Sequence, residues 1–237
     1  MKKEPADGLN CCLYGLGLCM PWQRLEQSRQ KLFFKKYENA YKDFMNGAFA
    51  QDKKSYKKLV EASIYWDRLQ FVKAHKILDE LLKKCTCTQD YMTVYRWKSL
   101  CYARDGRNKS LVKTYQTMLQ YDMTNSIVWS DLGLTYMKMG KTKEARAALE
   151  KAISYDPQNA AAYNNMSLHL FKTGEWEDAM QYVYKTLELR PDMYQPMSTA
   201  AIISKIYGQE ENAEKYCQMY ISSGGNEKAI RAILATI

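Results

Sequence analysis

The stretch WSDLGLTYMKMGKTKEA, Trp129 to Ala145, combines an aromatic residue, a Leu-Gly pair, a tyrosine, a second glycine and an alanine. Two glycines so placed suit either a ligand loop or a structural pattern, and spacing decides between them. Steps of 34 residues from Gly140 reach Gly106 in one direction and Gly174 and Gly208 in the other. Ala145 recurs as Ala179 and Ala213, and Pro157 as Pro191. Trp129 corresponds to Tyr163 and Tyr95, and Tyr136 to Tyr102. Gly133 corresponds to Ser99, Ser167 and Ala201, all small. One period shared by glycine, alanine, proline and aromatic positions is an internal repeat.

Each unit reads as two amphipathic helices. Trp129, Leu132, Gly133 and Tyr136 share one face at helical spacing, and Gly140 ends that helix as a residue free to take positive φ. Ala145, Ala148 or Leu149, and Ala152 form the stripe of a second helix, which Asp156-Pro157 stops. Small residues at 133 and 145 let the two helices approach closely. Aromatic residues fill the wider gaps to the neighbouring pair.

The unit 126–159, with Trp129, Leu132, Gly133, Tyr136, Ala145, Leu149, Ala152 and Pro157, resembles the tetratricopeptide repeat family. Unit 160–193 keeps Tyr163, Gly174, Ala179 and Pro191 but places Met166, Ser167 and Leu170 at other signature positions. Unit 92–125 keeps Tyr95, Ser99, Tyr102 and Gly106, with Leu111 in an alanine position. Unit 194–227 keeps Ala201, Gly208 and Ala213. A weaker copy at 55–88 has Ala62, Tyr65, Ala74, Leu78 and Leu81, and three extra residues, Gln89, Asp90 and Tyr91 or their neighbours, separate it from the next. The resemblance implies an all-α, right-handed α-solenoid of about five tetratricopeptide-type helix pairs, with a flanking helix at each end.

The expected organisation is a weakly ordered tail over 1–21, a basic amphipathic helix over 22–54 that caps or docks, a repeat domain over 55–227 and a C-terminal capping helix over 228–237. In the first flank Trp22, Leu25, Phe33, Tyr37, Tyr41 and Phe44 oppose many Lys and Arg; in the last, Asn226 N-caps a helix bearing Ile230, Ile233, Leu234 and Ile237. A stack of helix pairs exposes an apolar face at each end, so covers are expected.

The formal charge of +9 is concentrated, because residues 21–84 carry 15 Lys/Arg against 8 Asp/Glu. That basic region gives an alternative reading, binding of RNA or an anionic membrane surface with the repeats as an assembly platform. Seven cysteines, an odd number, favour a reducing compartment and hence the cytoplasm. The apolar run from Leu9 to Met20 is short of the roughly 20 residues that span a bilayer. Glu4 and Asp7 spoil the basic start of a signal peptide, leaving membrane association through residues 9–20 as a lesser alternative to the cytoplasm.

Little in the sequence carries catalytic chemistry. His75 and His169 have no Cys, Ser or carboxylate at a spacing that makes a catalytic pair. Cys85-Thr86-Cys87, and Cys11-Cys12 with Cys19, depart from the paired Cys spacing of zinc sites. Gly15 and Gly17 lack the flanking strand and helix of a phosphate loop. No enzyme, cofactor or metal is expected.

Function then falls to a surface. The resemblance implies that the first helix of each pair lines a groove holding an extended peptide or a partner helix. By position that face comprises Thr93, Arg96 and Leu100; Ile127, Ser130, Leu134 and Met137; Ala161, Asn164, Leu168 and Phe171; and Gln195, Ser198 and Ile202. Its apolar stripe, Leu134, Met137, Leu168 and Phe171, suits an apolar or amphipathic segment. Relatives that grip the acidic C-terminal tail of cytosolic chaperones use Lys, Asn and Arg at set positions. Only Asn165 matches here, with Ser130, Leu134, Gln195 and Thr199 at the others, so that partner is not expected. Residues 22–54 are too short and too continuous for the helix-turn-helix of peptide-sensing regulators.

Overall fold

The computed structural model describes residues 47–237, and every regular element among them is an α-helix. In chain order these are α1 (Lys53–Asp67), α2 (Phe71–Leu82), α3 (Thr88–Arg104), α4 (Asn108–Tyr121), α5 (Ser126–Lys138), α6 (Thr142–Tyr155), α7 (Ala160–Thr173), α8 (Trp176–Leu189), α9 (Gln195–Ile206), α10 (Glu210–Ser222) and α11 (Glu227–Leu234). The fold class is an all-α solenoid. The chain divides into two compact units, one ending at Thr114 and the other beginning at Tyr115, so the division falls inside α4.

In the first unit, α1 packs on α2 and α2 on α3 around Leu59, Trp66, Leu78, Leu81, Val94 and Trp97. The indoles of Trp66 and Trp97 meet edge to face, 5.9 Å between centroids, the arrangement their ring quadrupoles favour. Two sequence expectations are corrected here. The helix expected over 22–54 does not run through its last residues: 47–51 are turns, and Asp52 N-caps α1 by accepting hydrogen bonds from the Lys54 and Ser55 amides at 3.0 and 3.1 Å. Residues 22–46 of that expected helix, and the tail over 1–21, lie outside the described residues. The three extra residues expected as a separator instead lie in the first turn of α3, which begins at Thr88.

That added turn has a use. Asp90 Oδ1 accepts from the Phe49 amide at 2.8 Å, and Oδ2 accepts from the Thr86 amide and hydroxyl. Burial pushes the Asp90 carboxyl up, but these hydrogen bonds outweigh it and hold the pKa below the usual carboxylate range. Phe49, at positive φ and buried, is thereby fixed against the first core.

The second unit holds the pairs α5/α6, α7/α8 and α9/α10, followed by α11. Gly133 explains the closeness of the first pair. A Cβ there would lie 2.7 Å from Leu149 Cγ, too close for any side chain to tolerate unmoved, and a tight 3.3 Å from the Ala145 carbonyl. Leu149, Met166, Leu170, Ala179 and Ile203 form the central core of this unit. Helices α5, α7 and α9, the first of each pair, are neighbours in turn. Asn125, Asn159 and Asn226 cap α5, α7 and α11, each side chain accepting from the amide three residues on. The expected C-terminal helix over 228–237 is helical at Glu227–Leu234, and Ile230 is its one fully buried aliphatic residue; Ile233 and Ile237 face water.

Candidate partner-binding face

The side chains expected to line a groove fall into three groups. Thr93 and Ser130 are 3% and 2% exposed and offer no surface, which corrects their assignment to a binding face. Arg96, Ile127 and Ala161 are exposed. Leu100, Leu134, Met137, Asn164, Leu168, Phe171, Gln195, Ser198 and Ile202 are half-buried. Thr93, Arg96 and Leu100 belong to the first unit, where Leu100 packs against the Trp66/Trp97 core.

In the second unit, packing of α7 against both α5 and α9 brings Leu134 and Met137, Leu168 and Phe171, and Ile202 onto adjacent helices. Met137 and Phe171 also lean on the central core, and Ile202 on the Ala201, Cys217 and Ile230 cluster. Leu134 and Leu168, the aliphatic pair one repeat apart in this row, are each half-buried. The polar neighbours are partly spent: Ser198 Oγ donates to the Gln195 carbonyl, and the Asn164 carbonyl accepts from Ser167 Oγ.

Ser130 is buried because it has a structural partner. Its hydroxyl accepts from Asn165 Nδ2 at 3.0 Å, and one turn away along the same seam Asn159 Nδ2 donates to Ser126 Oγ at 2.7 Å. Ser126 Oγ passes its own proton to the Ala152 carbonyl. These buried asparagine–serine links join α7 to α5, and they engage Asn165, the single residue that matched a chaperone-tail clamp. Sequence reading missed them, although an Asn–Ser pair separated by about one repeat, twice over, was the available signal.

The titratable groups fit packing roles. Burial, then the Arg146 charge, lowers the His169 pKa, so its imidazole is held neutral inside α7. His75 is likewise lowered by burial and then by Lys98, and its ring stacks on Tyr102 at 4.2 Å. Burial pushes the Cys85 and Cys101 thiols up to about 12, far from a reactive thiolate. Among the described residues no group of three or more His, Cys, Asp or Glu is placed to hold a metal, and no helix is long and apolar enough to cross a membrane.

The family model for the tetratricopeptide repeat matches residues 130–194, the stretch that holds most of α5 and all of α6, α7 and α8. PilF of Pseudomonas aeruginosa has a similar structure at 17% identity and a TM-score of 0.66, over 79% of this chain and 85% of PilF. A tetratricopeptide repeat protein from Parabacteroides merdae is similar at 19% identity and a TM-score of 0.63, over 77% of this chain and 72% of that one. MamA is similar at 18% identity and a TM-score of 0.56, over 68% of this chain and 93% of MamA. No curated protein sequence matches the chain. Residues 130–194 thus carry the tetratricopeptide repeat, and the similar solved structures share its helix-pair fold.

Proposed function

We propose that the protein is a non-catalytic interaction scaffold whose second unit holds a peptide or partner helix along the shared face of α5, α7 and α9. One observation carries this reading: Leu134 and Leu168, one repeat apart on neighbouring helices, both keep part of their aliphatic surface exposed. Met137, Phe171 and Ile202 extend that row, supplying the flexible and aromatic contacts that suit an apolar segment. Lys138 and Lys172 follow Leu134 and Leu168 by four residues on the same face and are exposed, which favours a segment with an acidic flank. The cytoplasm, as the odd cysteine count suggests, is the compartment we assign.

Phe171 supports the core, so the discriminating variant is Leu134→Gln with Leu168→Gln. Against an array of amphipathic helical and extended peptides, wild type should select apolar sequences with acidic flanks. The variant should lose at least about tenfold in affinity with its helicity unchanged. Equal binding by the variant would remove the groove from the reading.

A further inference from the structure

The turn between α1 and α2 breaks the chemistry of the repeat. Four later turns place glycine in the left-handed region: Gly106, Gly140 and Gly208 at φ of 71°, 71° and 69°, and Gly174 at 86°. Each is followed by the same closing hydrogen bond, from Arg107, Lys141, Glu175 and Gln209 to the carbonyls of Tyr102, Tyr136, Leu170 and Ser204. The first turn has that bond too, from Gln70 to the Tyr65 carbonyl at 2.9 Å, but the left-handed residue is Leu69 at φ 58°. A leucine strained at its Cβ in this region gains little from packing here, because it is 56% exposed. Val72, three residues on, is 78% exposed.

The chain that carries this apolar tip has charge of one sign. From Arg68 to Leu78 the chain has no acidic residue, while Arg68, Lys73 and Lys76 are all exposed. The flanking acids are engaged: Asp79 is paired with Lys98, Glu80 with Lys58 at 2.6 Å and Asp105 with Arg107, and half-buried Asp67 feels the Arg104 and Arg68 charges. The tip offers no aromatic platform for stacking bases, since Phe71 packs on the core and Tyr65 lies under Lys73. Exposed aliphatic side chains ringed by cations match an anionic lipid surface, whose headgroups meet the charges and whose acyl boundary takes the Leu and Val.

We propose that the α1–α2 turn is a peripheral membrane contact in which Leu69 and Val72 enter an anionic lipid interface and Arg68, Lys73 and Lys76 bind its phosphates. The strained leucine is then retained for insertion, where glycine would satisfy the turn better. This contact belongs to the first unit and the peptide-binding face to the second.

The test is co-sedimentation of the full chain with phosphatidylcholine vesicles, with and without phosphatidylserine. Binding should require phosphatidylserine and weaken with salt. Leu69→Gly with Val72→Ser should weaken it about tenfold at unchanged charge. Replacing Arg68, Lys73 and Lys76 by Gln should weaken it by about a hundredfold. The Leu134→Gln/Leu168→Gln variant should bind vesicles as wild type does, and Leu69→Gly/Val72→Ser should keep peptide binding, so the two readings fail separately. Absent vesicle binding would overturn the proposal, as would binding that Leu69→Gly/Val72→Ser leaves intact. Binding lost only when the apolar run over 9–20 is made polar, or salt-sensitive binding to an RNA oligonucleotide in place of vesicles, would also overturn it.

Discussion

Gly133 and Leu69 show the repeat's steric rules being kept at one position and broken at another. A Cβ on Gly133 would press on the branch of Leu149, which is fully buried. Gly133→Ala should therefore destabilise the second unit by about 1–3 kcal/mol through overpacking, read as a lower melting temperature. An unchanged melt would place the α5–α6 contact elsewhere. At Leu69 the opposite sign is expected. Relief of the left-handed strain, about 1–2 kcal/mol, exceeds the added backbone entropy of glycine, about 0.5–1 kcal/mol. Leu69→Gly should thus raise the stability of the first unit modestly, by roughly 0.5–1 kcal/mol in a denaturant titration. The glycine period was plain in the sequence from 106 to 208, and Gly133 was legible as a close approach. Leu69 was hidden, because a leucine carries no mark of the left-handed region and three inserted residues displace it from the 34-residue count.

Helix boundaries follow from caps that the sequence advertises unevenly. Asn159 does two jobs: its Oδ1 accepts from the Ala162 amide to cap α7, and its Nδ2 donates to buried Ser126. Asn159→Ala removes the cap and leaves the Ser126 hydroxyl without that donor. The loss should be about 1–2 kcal/mol, with hydrogen exchange fastest in the first turn of α7. Asn159→Asp retains the cap acceptor but loses the donor, so it should recover part of that stability. No comparable sign marks the start of α1. Its start rests on Asp52 and on the distant bond from Phe49 to Asp90, a tertiary contact 41 residues apart that periodicity cannot contain. The assignment of Thr93 and Ser130 to a surface failed for a related reason. A helix lying between two others buries a stripe wider than about 100°, and spacing alone does not tell where its edge falls.

At the scale of the whole chain, the two compact units differ in how they meet acid. Asp67, at the end of α1, is pushed up to about 6 by burial, against the opposing pull of Arg104 and Arg68. A carboxyl whose folded pKa exceeds its unfolded value binds its proton more tightly when folded. Its contribution to stability is complete below the unfolded value, near 3.8, and is lost as pH rises through about 6. His75 in the first unit and His169 in the second act in the other direction. Their lowered pKa values mean that stability is present above the ordinary histidine range and lost as pH falls through the folded values. Asp67→Asn isolates the first effect. At pH 7.5 the variant should be the more stable protein, because it no longer holds an ionised carboxylate in a half-buried place. Its advantage should shrink between about pH 6 and 4, where the wild-type carboxyl takes up its proton. Amide exchange of α1, compared with that of α7 in the same sample, separates the units: the variant should slow exchange in α1 at pH 7.5 and leave α7 unchanged. Equal exchange in α1 for both proteins across this range would show that Asp67 is solvated in the folded chain and titrates as an ordinary carboxyl.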